Sequence, residues 1–384
     1  MSVWDGVVGQ EQQVAPLQAA VRDPGAMTHA WLITGPPGSG RSSAARAFAA
    51  ALQCPQGGCG ACHECATAQS GTHADVSIVA TEKVTISIDE VRELVSLSQR
   101  APSGGRWRII IVEDADRMTE RTSNVLLKAI EEPPPRTAWV LCAPSAQDVA
   151  VTIRSRCRVV PLRVPPADVV ARLLVDKDGV DPQLALECAL AAQSHIGIAR
   201  RLARDPHARA RRDQVLALAT DVRGVGDAVL AAADLASVAE DDAEAATSER
   251  DAAERAELLQ TLGADDAGRL PPALRAQVRQ LEEEQKRRAT RAKRDVLDRA
   301  IIDLMSLYRD VAAVQVGAEG SGLVNVAHEG TVRDLASRMT LAQTVACLDA
   351  LATARERLAA NVQPVLALEA LVLALRPAPA SRPA

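Results

Sequence analysis

At 384 residues the chain is long enough for two or three domains of roughly 150 residues, each with its own core. A formal net charge of −5 gives no global attraction to nucleic acid, so any DNA contact has to come from a local basic patch or through a partner. One Phe and one Tyr among abundant alanine, leucine and arginine describe a helix-rich protein, and no apolar run approaches the ~20 residues that span a bilayer. A cytoplasmic protein with no membrane partner is expected.

Short β-branched or apolar runs alternate with helical patterns over the first 160 residues, which predicts a parallel sheet with crossover helices. The runs are Ala30 to Thr34, Val76 to Ala80, Arg108 to Val112, Ala138 to Leu141 and Cys157 to Val160. Helices are expected from Arg41 to Leu52, from Ile88 to Arg100 and from Thr119 to Glu131, the last stopped by Pro133-Pro134-Pro135. Between the first strand and the first of these helices lies Gly35-Pro36-Pro37-Gly38-Ser39-Gly40-Arg41-Ser42. In an intact G-x-x-x-x-G-K-[ST] loop the glycines let backbone N–H groups converge on phosphate, the lysine reaches the β- and γ-phosphates, and the hydroxyl holds Mg²⁺. Gly35, Gly38, Gly40 and Ser42 are in place, but Arg41 stands where the lysine belongs. A planar guanidinium keeps the charge without the compact shape.

The third strand ends in Glu113-Asp114-Ala115-Asp116, where open α/β sheets place their ligands. Carboxylates there can hold Mg²⁺ and orient water, in the usual order Asp for the metal and then Glu as base. Here the order is reversed, with the shorter Asp114 in the base position. The bland alternative is a solvated acidic turn. Changes at both Arg41 and Glu113/Asp114 point to a site that has lost hydrolysis, while the glycines and Ser42 can still cradle ATP/Mg²⁺.

Between these motifs, Cys54, Cys59, Cys62 and Cys65 supply four thiols around a Gly57-Gly58 turn. That spacing suits a closed tetrahedral Zn²⁺ site, structural because no position is left for a reacting water. His63 could replace one thiol; disulfides do not suit a cytosolic protein. The remaining Cys142, Cys157, Cys188 and Cys347 lie in apolar patterns and are expected as buried thiols.

Val8-Gly9-Gln10, His29-Ala30-Trp31-Leu32, the four-cysteine insert, Glu113 through Met118, Asn124-x-Leu126-Leu127-Lys128 leading to Glu131-Glu132-Pro133-Pro134, and Ser155-Arg156-Cys157 together resemble the bacterial clamp-loader AAA+ subunits of DNA polymerase III. The altered phosphate loop is similar to that of the delta-prime type rather than the ATP-hydrolysing gamma/tau type, which is the alternative. The resemblance covers about residues 3 to 205. It implies α/β followed by all-α: an AAA+ P-loop domain with a zinc module (54–65) over 1–165, a small helical lid over 166–207, and a helical collar or oligomerisation domain over 208–384. It further implies that Arg156 enters a neighbouring subunit's ATP site as an arginine finger, and that Arg200, in Gly197-Ile198-Ala199-Arg200, touches nucleotide. The alternatives are a plain surface arginine in the Arg154, Arg156, Arg158 run, and a solvated or interface patch of Arg200, Arg201 and Arg204. Implied partners are gamma/tau and delta-type subunits, with the sliding clamp and primed DNA reached through the complex. Polymerase catalysis would belong to the holoenzyme.

From about Ala208 the pattern is helical and carries no catalytic motif. Leu274, Val278, Leu281, Ala289, Ala292, Val296, Ala300, Leu304 and Leu307 recur at three- and four-residue steps, giving a long helix with one apolar stripe, for a partner or for the domain's own core. The acidic 239–270 stretch and basic residues from Lys286 to Arg294 suggest a charged helical hairpin at about 239–300, with DNA contact by the basic run as a second option. A Pro/Ala-rich tail from Pro377 is expected to be disordered.

Overall fold

The β1 strand Ala30–Thr34 lies between β4 and β5 in a five-stranded parallel sheet of order β2-β3-β4-β1-β5, the others being Val76–Val79, Arg108–Val112, Thr137–Ala143 and Arg158–Pro161. The computed structural model describes residues 2–375 apart from 82–84, 105, 223, 262–271, 319, 321 and 361, and divides into one unit up to Arg204 and another from Asp205. The expected tail, the 262–270 part of the hairpin and the Leu274 side chain lie outside the described residues.

In the first unit the sheet is buried on both faces, which is why its strands read as continuous apolar runs. Ile109 and Ile111 face one side with Trp31, Ile33 and Phe48, while Ile110 and Val112 face the other with Trp139, Leu126 and Leu94. Helices α1 (Glu11–Arg22) and α2 (Arg41–Gln53) cover the first face. The single Phe of the chain, Phe48 on α2, meets Trp31 edge to face at 5.4 Å. After α3 (His63–Ser70), helices α4 (Ile88–Ser98) and α5 (Glu120–Glu131) cover the second face. Ser87 and Glu90 form a capping box that starts α4, and Thr119 caps α5. A single turn, α6 (Val151–Arg154), leads into β5, and α7 (Ala167–Asp178), α8 (Pro182–Ala191) and α9 (Ile196–Arg204) follow.

The second unit is helical: α10 (Pro206–Asp221), α11 (Val225–Thr261), α12 (Pro272–Gln315), α13 (Glu329–Arg338), α14 (Leu341–Ala359) and α15 (Pro364–Leu375). Ala300, Leu304 and Leu307 of the expected stripe pack into this unit's own core around Tyr308. Arg288 pairs with Asp251 at 2.7 Å and Glu254 at 3.0 Å, Lys293 with Glu240 at 2.7 Å, and Arg255 with Glu282 at 2.9 Å. Acidic α11 thus neutralises much of basic α12. A buried network ties α10 and α12 to the segment before α13: Arg212 meets Asp303 and Asn325, and Asp310 accepts from the Asn325 backbone at 2.8 Å. Among the described residues no helix is long and apolar enough to cross a membrane.

Candidate functional site

The glycine loop is squeezed from both sides where β1 passes into α2. A Cβ on Gly35 would lie 2.5 Å from Ser39 Oγ and 2.9 Å from the Leu162 carbonyl oxygen. At Gly38, whose φ is +86°, a Cβ would lie 2.9 Å from His195 Cα, so the loop abuts the segment that opens α9. Gly40 enters α2 from the left-handed region. Gln10 is fully buried; its amide donates to the Ser39 carbonyl at 3.2 Å and to that of Arg163, and its oxygen accepts from the Arg163 N–H at 3.1 Å. Ser39 Oγ is buried with no hydrogen-bond partner among the described residues.

Arg41 turns back on this loop: its Nη1 donates to the Gly35 carbonyl. Ser42 is half-buried on the first turn of α2. Glu113 sits at the end of β3, but its carboxylate accepts from Arg46 Nη2 at 3.0 Å and Nε at 3.2 Å. Arg46 also donates to the Gln69 carbonyl on α3 at 3.3 Å. Asp114 lies 3.9 Å from Arg117. Burial pushes the Asp116 carboxyl above its ordinary range; the Asp114 charge adds to this, and Arg117 and Arg41 oppose it. The predicted loop and carboxylates are therefore brought together, with two guanidiniums already placed on the loop's own carbonyl and on the first carboxylate. Arg46 was not singled out in the sequence, although a charged residue amid Ala44, Ala45, Ala47, Ala49 and Ala50 signals a partner across the sheet edge.

Arg200, on α9, is held against α7. Its Nε donates to Asp178 at 2.6 Å, and Arg204 takes the other carboxylate oxygen at 2.6 Å. Burial works against the Asp178 charge, but the two arginines outweigh it and hold the carboxyl below its ordinary range. His195, a residue sequence reading passed over, lies just before α9 and meets the loop at Gly38.

The four cysteine Sγ atoms lie within 4.8 Å of one another. Cys54 Sγ is 3.7 Å from both Cys59 and Cys62 Sγ. A regular tetrahedron with metal–sulfur bonds of about 2.3 Å has edges of about 3.75 Å, so the thiols fit a single ion. All four are free thiols. Backbone N–H groups of Gln56 and Cys59 point at Cys54, and that of Gly60 at Cys65. Burial opposes ionisation of Cys54, yet these donors and that of Gly58 bring its thiol down to about 6. Cys62 Sγ also accepts the Cys65 N–H and so caps α3. The Gly58 carbonyl accepts the Val3 N–H at 3.1 Å, tying the amino-terminal turn to the module. Of the other cysteines, Cys142, Cys188 and Cys347 are buried and Cys157 is half-buried; burial lifts the Cys142 and Cys157 thiols to about 12, as it also raises Cys65 within the cluster.

At the other edge of the sheet the three arginines around β5 part ways. Arg154 donates to the Ala146 carbonyl at 3.2 Å, and Arg158 reaches the Ala26 carbonyl and lies 5.2 Å from the Trp31 ring centroid. Both serve the fold. Arg156 stays 37% exposed, with Nε on Glu131 and Nη1 on the Thr152 carbonyl at 2.7 Å and Ser155 Oγ at 3.3 Å.

The strand order, the glycine loop after β1, the acidic end of β3 and the helices after β5 together define an AAA+ P-loop domain. Residues 9–166 match the family model described as DNA polymerase III, delta subunit. Over 163 residues the chain is 39% identical to the delta' subunit of Escherichia coli K12, covering 41% of this chain and 47% of that protein. It is 35% identical over 182 residues to gamma/tau of Mycobacterium tuberculosis H37Rv, covering 45% of this chain and 31% of that one. The matched segment thus spans about a third to a half of these relatives. Among solved structures, a gamma subunit-related protein of Thermotoga maritima aligns over 95% of this chain and 98% of its own at 16% identity and TM-score 0.40.

Proposed function

We propose that the chain is a non-hydrolysing, delta-prime-type subunit of the DNA polymerase III clamp loader, which supplies Arg156 in trans to a neighbouring ATPase subunit. The observation that carries this reading is where the guanidiniums are directed: Arg41 and Arg46 turn onto the loop's Gly35 carbonyl and onto Glu113, whereas Arg156, held through Nε and Nη1, lies at the sheet's edge with Nη2 on no described acceptor. Gly35, Gly38, Gly40, Arg41, Ser42, Glu113, Asp114 and Arg200 then form a degenerate nucleotide site. ATP/Mg²⁺ would have to displace Arg41 from Gly35 and Arg46 from Glu113 before occupying it. In a neighbour's site, the Arg156 guanidinium would stabilise charge developing on the γ-phosphate, an effect worth ~10³–10⁵ in turnover in GTPase systems. Gamma/tau and delta-type subunits are the partners, and the sliding clamp and primed DNA are reached through the complex in the cytoplasm. Cys54, Cys59, Cys62 and Cys65 would hold Zn²⁺ as a closed structural ion. Metal analysis should return one zinc per chain, lost in a Cys54→Ser variant.

The test is the DNA- and clamp-stimulated ATPase of a complex reconstituted with an intact-loop partner, with this chain or its Arg156→Ala variant at equal assembly. A fall of several orders confined to one partner site supports the reading; an unchanged rate returns Arg156 to a surface residue. The retained glycines and Ser42 favour a second reading, a gamma/tau-like ATPase in its own right. Turnover by the isolated chain separates the two.

A further inference from the structure

The acid that holds Arg156 is placed against the interests of its own helix. Glu131 is the last residue of α5, followed by Glu132, where the negative end of the helix dipole disfavours carboxylates. Pro133 prevents the helix from continuing. What Glu131 does engage is Arg156, 25 residues on. We propose that Glu131 is the positioning residue for Arg156, fixing the Nε edge of the guanidinium so that its remaining donors point outward to a phosphoryl oxygen of the neighbouring subunit. The proposal rests on the trans-arginine reading above.

A guanidinium carries five N–H donors in one rigid plane, so fixing two nitrogens fixes the third. Glu131 takes Nε, and the Thr152 carbonyl and Ser155 hydroxyl take Nη1. Nη2, with two N–H groups, meets no described acceptor. The two anchors come from different elements, the end of α5 and the single turn α6, so the fork is gripped from both sides without being buried. Glu131 itself is 43% exposed and reaches the same surface as the arginine. A loosely held arginine would have to find this geometry at each turnover, and misplacement by about 1 Å can cost about a hundredfold.

The experiment uses the reconstituted complex with an intact-loop partner and measures kcat and KM for ATP, assembly and thermal stability for Arg156→Ala, Glu131→Ala and Glu131→Gln. Glu131→Ala should lower the partner's kcat about ten- to hundredfold at unchanged KM and assembly. Glu131→Gln, which keeps an acceptor for the Nε–H, should recover most of that loss. An unchanged kcat in Glu131→Ala overturns the proposal, as does a rise, which would mean that Glu131 sequesters the finger. Equal losses in both variants, or a loss traced to KM or assembly, also overturn it by assigning Glu131 to the interface. If Arg156→Ala lowers kcat and Glu131→Ala does not, the finger stands and the positioning role falls. If Arg156→Ala changes nothing, both fall.

Discussion

The glycine loop after β1 and the corner between α6 and β5 both carry arginines where phosphate chemistry would need positive charge. In the loop, Arg41 meets the Gly35 carbonyl and Arg46 meets Glu113, so both guanidiniums turn in toward the loop and the end of β3. At the corner, Arg156 is held through Nε and Nη1, while Nη2 meets no described acceptor at the surface. On the proposed reading, the first is a site at rest and the second a site that a partner completes. The difference rests on where the N–H donors go, since residue type is the same in both places.

The sharpest break would come from Arg156→Ala. Turnover at the adjacent partner site should fall by about 10³-fold or more, with the variant's own melting temperature unchanged, because an exposed pair adds little to stability. A shift in melting temperature with unchanged turnover would reverse the assignment.

The interior limit of an inward-turned arginine is Arg108, whose Nη2 lies 3.0 Å from the buried Asp75. Burial opposes the Asp75 charge, but the N–H groups of Gly104 and Ser103, with Arg108, hold its carboxyl below the ordinary range. Asp75→Ala should destabilise the first unit by about 3–5 kcal/mol in urea denaturation, since it leaves Arg108 buried and unpaired. Because the folded pKa is depressed, this stabilisation is present above the unfolded value of about 3.9 and is lost as pH falls through the folded one. Wild-type stability should therefore fall in acid below about pH 4, and the Asp75→Ala variant should fall less steeply there.

Restoring the loop tests the other half of the comparison. Arg41→Lys combined with Arg46→Ala should raise affinity for a fluorescent ATP analogue about tenfold or more, roughly 1.4 kcal/mol, while turnover stays absent with Asp114 in the base position. Arg41→Lys alone should gain less, because Glu113 remains paired with Arg46. A single variant that hydrolyses ATP would restore the second reading. The smallest effect belongs to the hairpin: Arg255 and Glu282 are both half-exposed, and Arg255→Ala should cost at most about 1 kcal/mol in thermal denaturation.

The first and third strands and the start of α2 were legible because apolar runs, the glycine loop and the acidic strand end are all local signals. Strand β4 runs longer than expected, from Thr137 to Ala143, because Thr137 and Ala143 are buried as deeply as the apolar residues between them. The expected strand at Cys157 begins at Arg158, since Cys157 still closes the turn after α6 by donating to the Arg154 carbonyl. Helix α3 was hidden because its cap is the sulfur of Cys62 rather than a hydroxyl or carboxylate. The Arg46–Glu113 and Arg156–Glu131 pairs join residues 67 and 25 apart, and no local pattern announces either. The apolar stripe was readable as a face, but that it closes on Tyr308 within its own unit needed the packing.

The aromatic residues sort cleanly between the two units: Trp4, Trp31, Trp107 and Trp139 all lie in the first, and the only Tyr, Tyr308, is buried in the second. Each half of the chain therefore carries its own optical label. Excitation at the red edge of the ultraviolet band reports the first unit, and second-derivative absorbance, which resolves the tyrosine feature from the tryptophans, reports the helical core. Uncoupled melting of the two halves would be visible in the untagged protein.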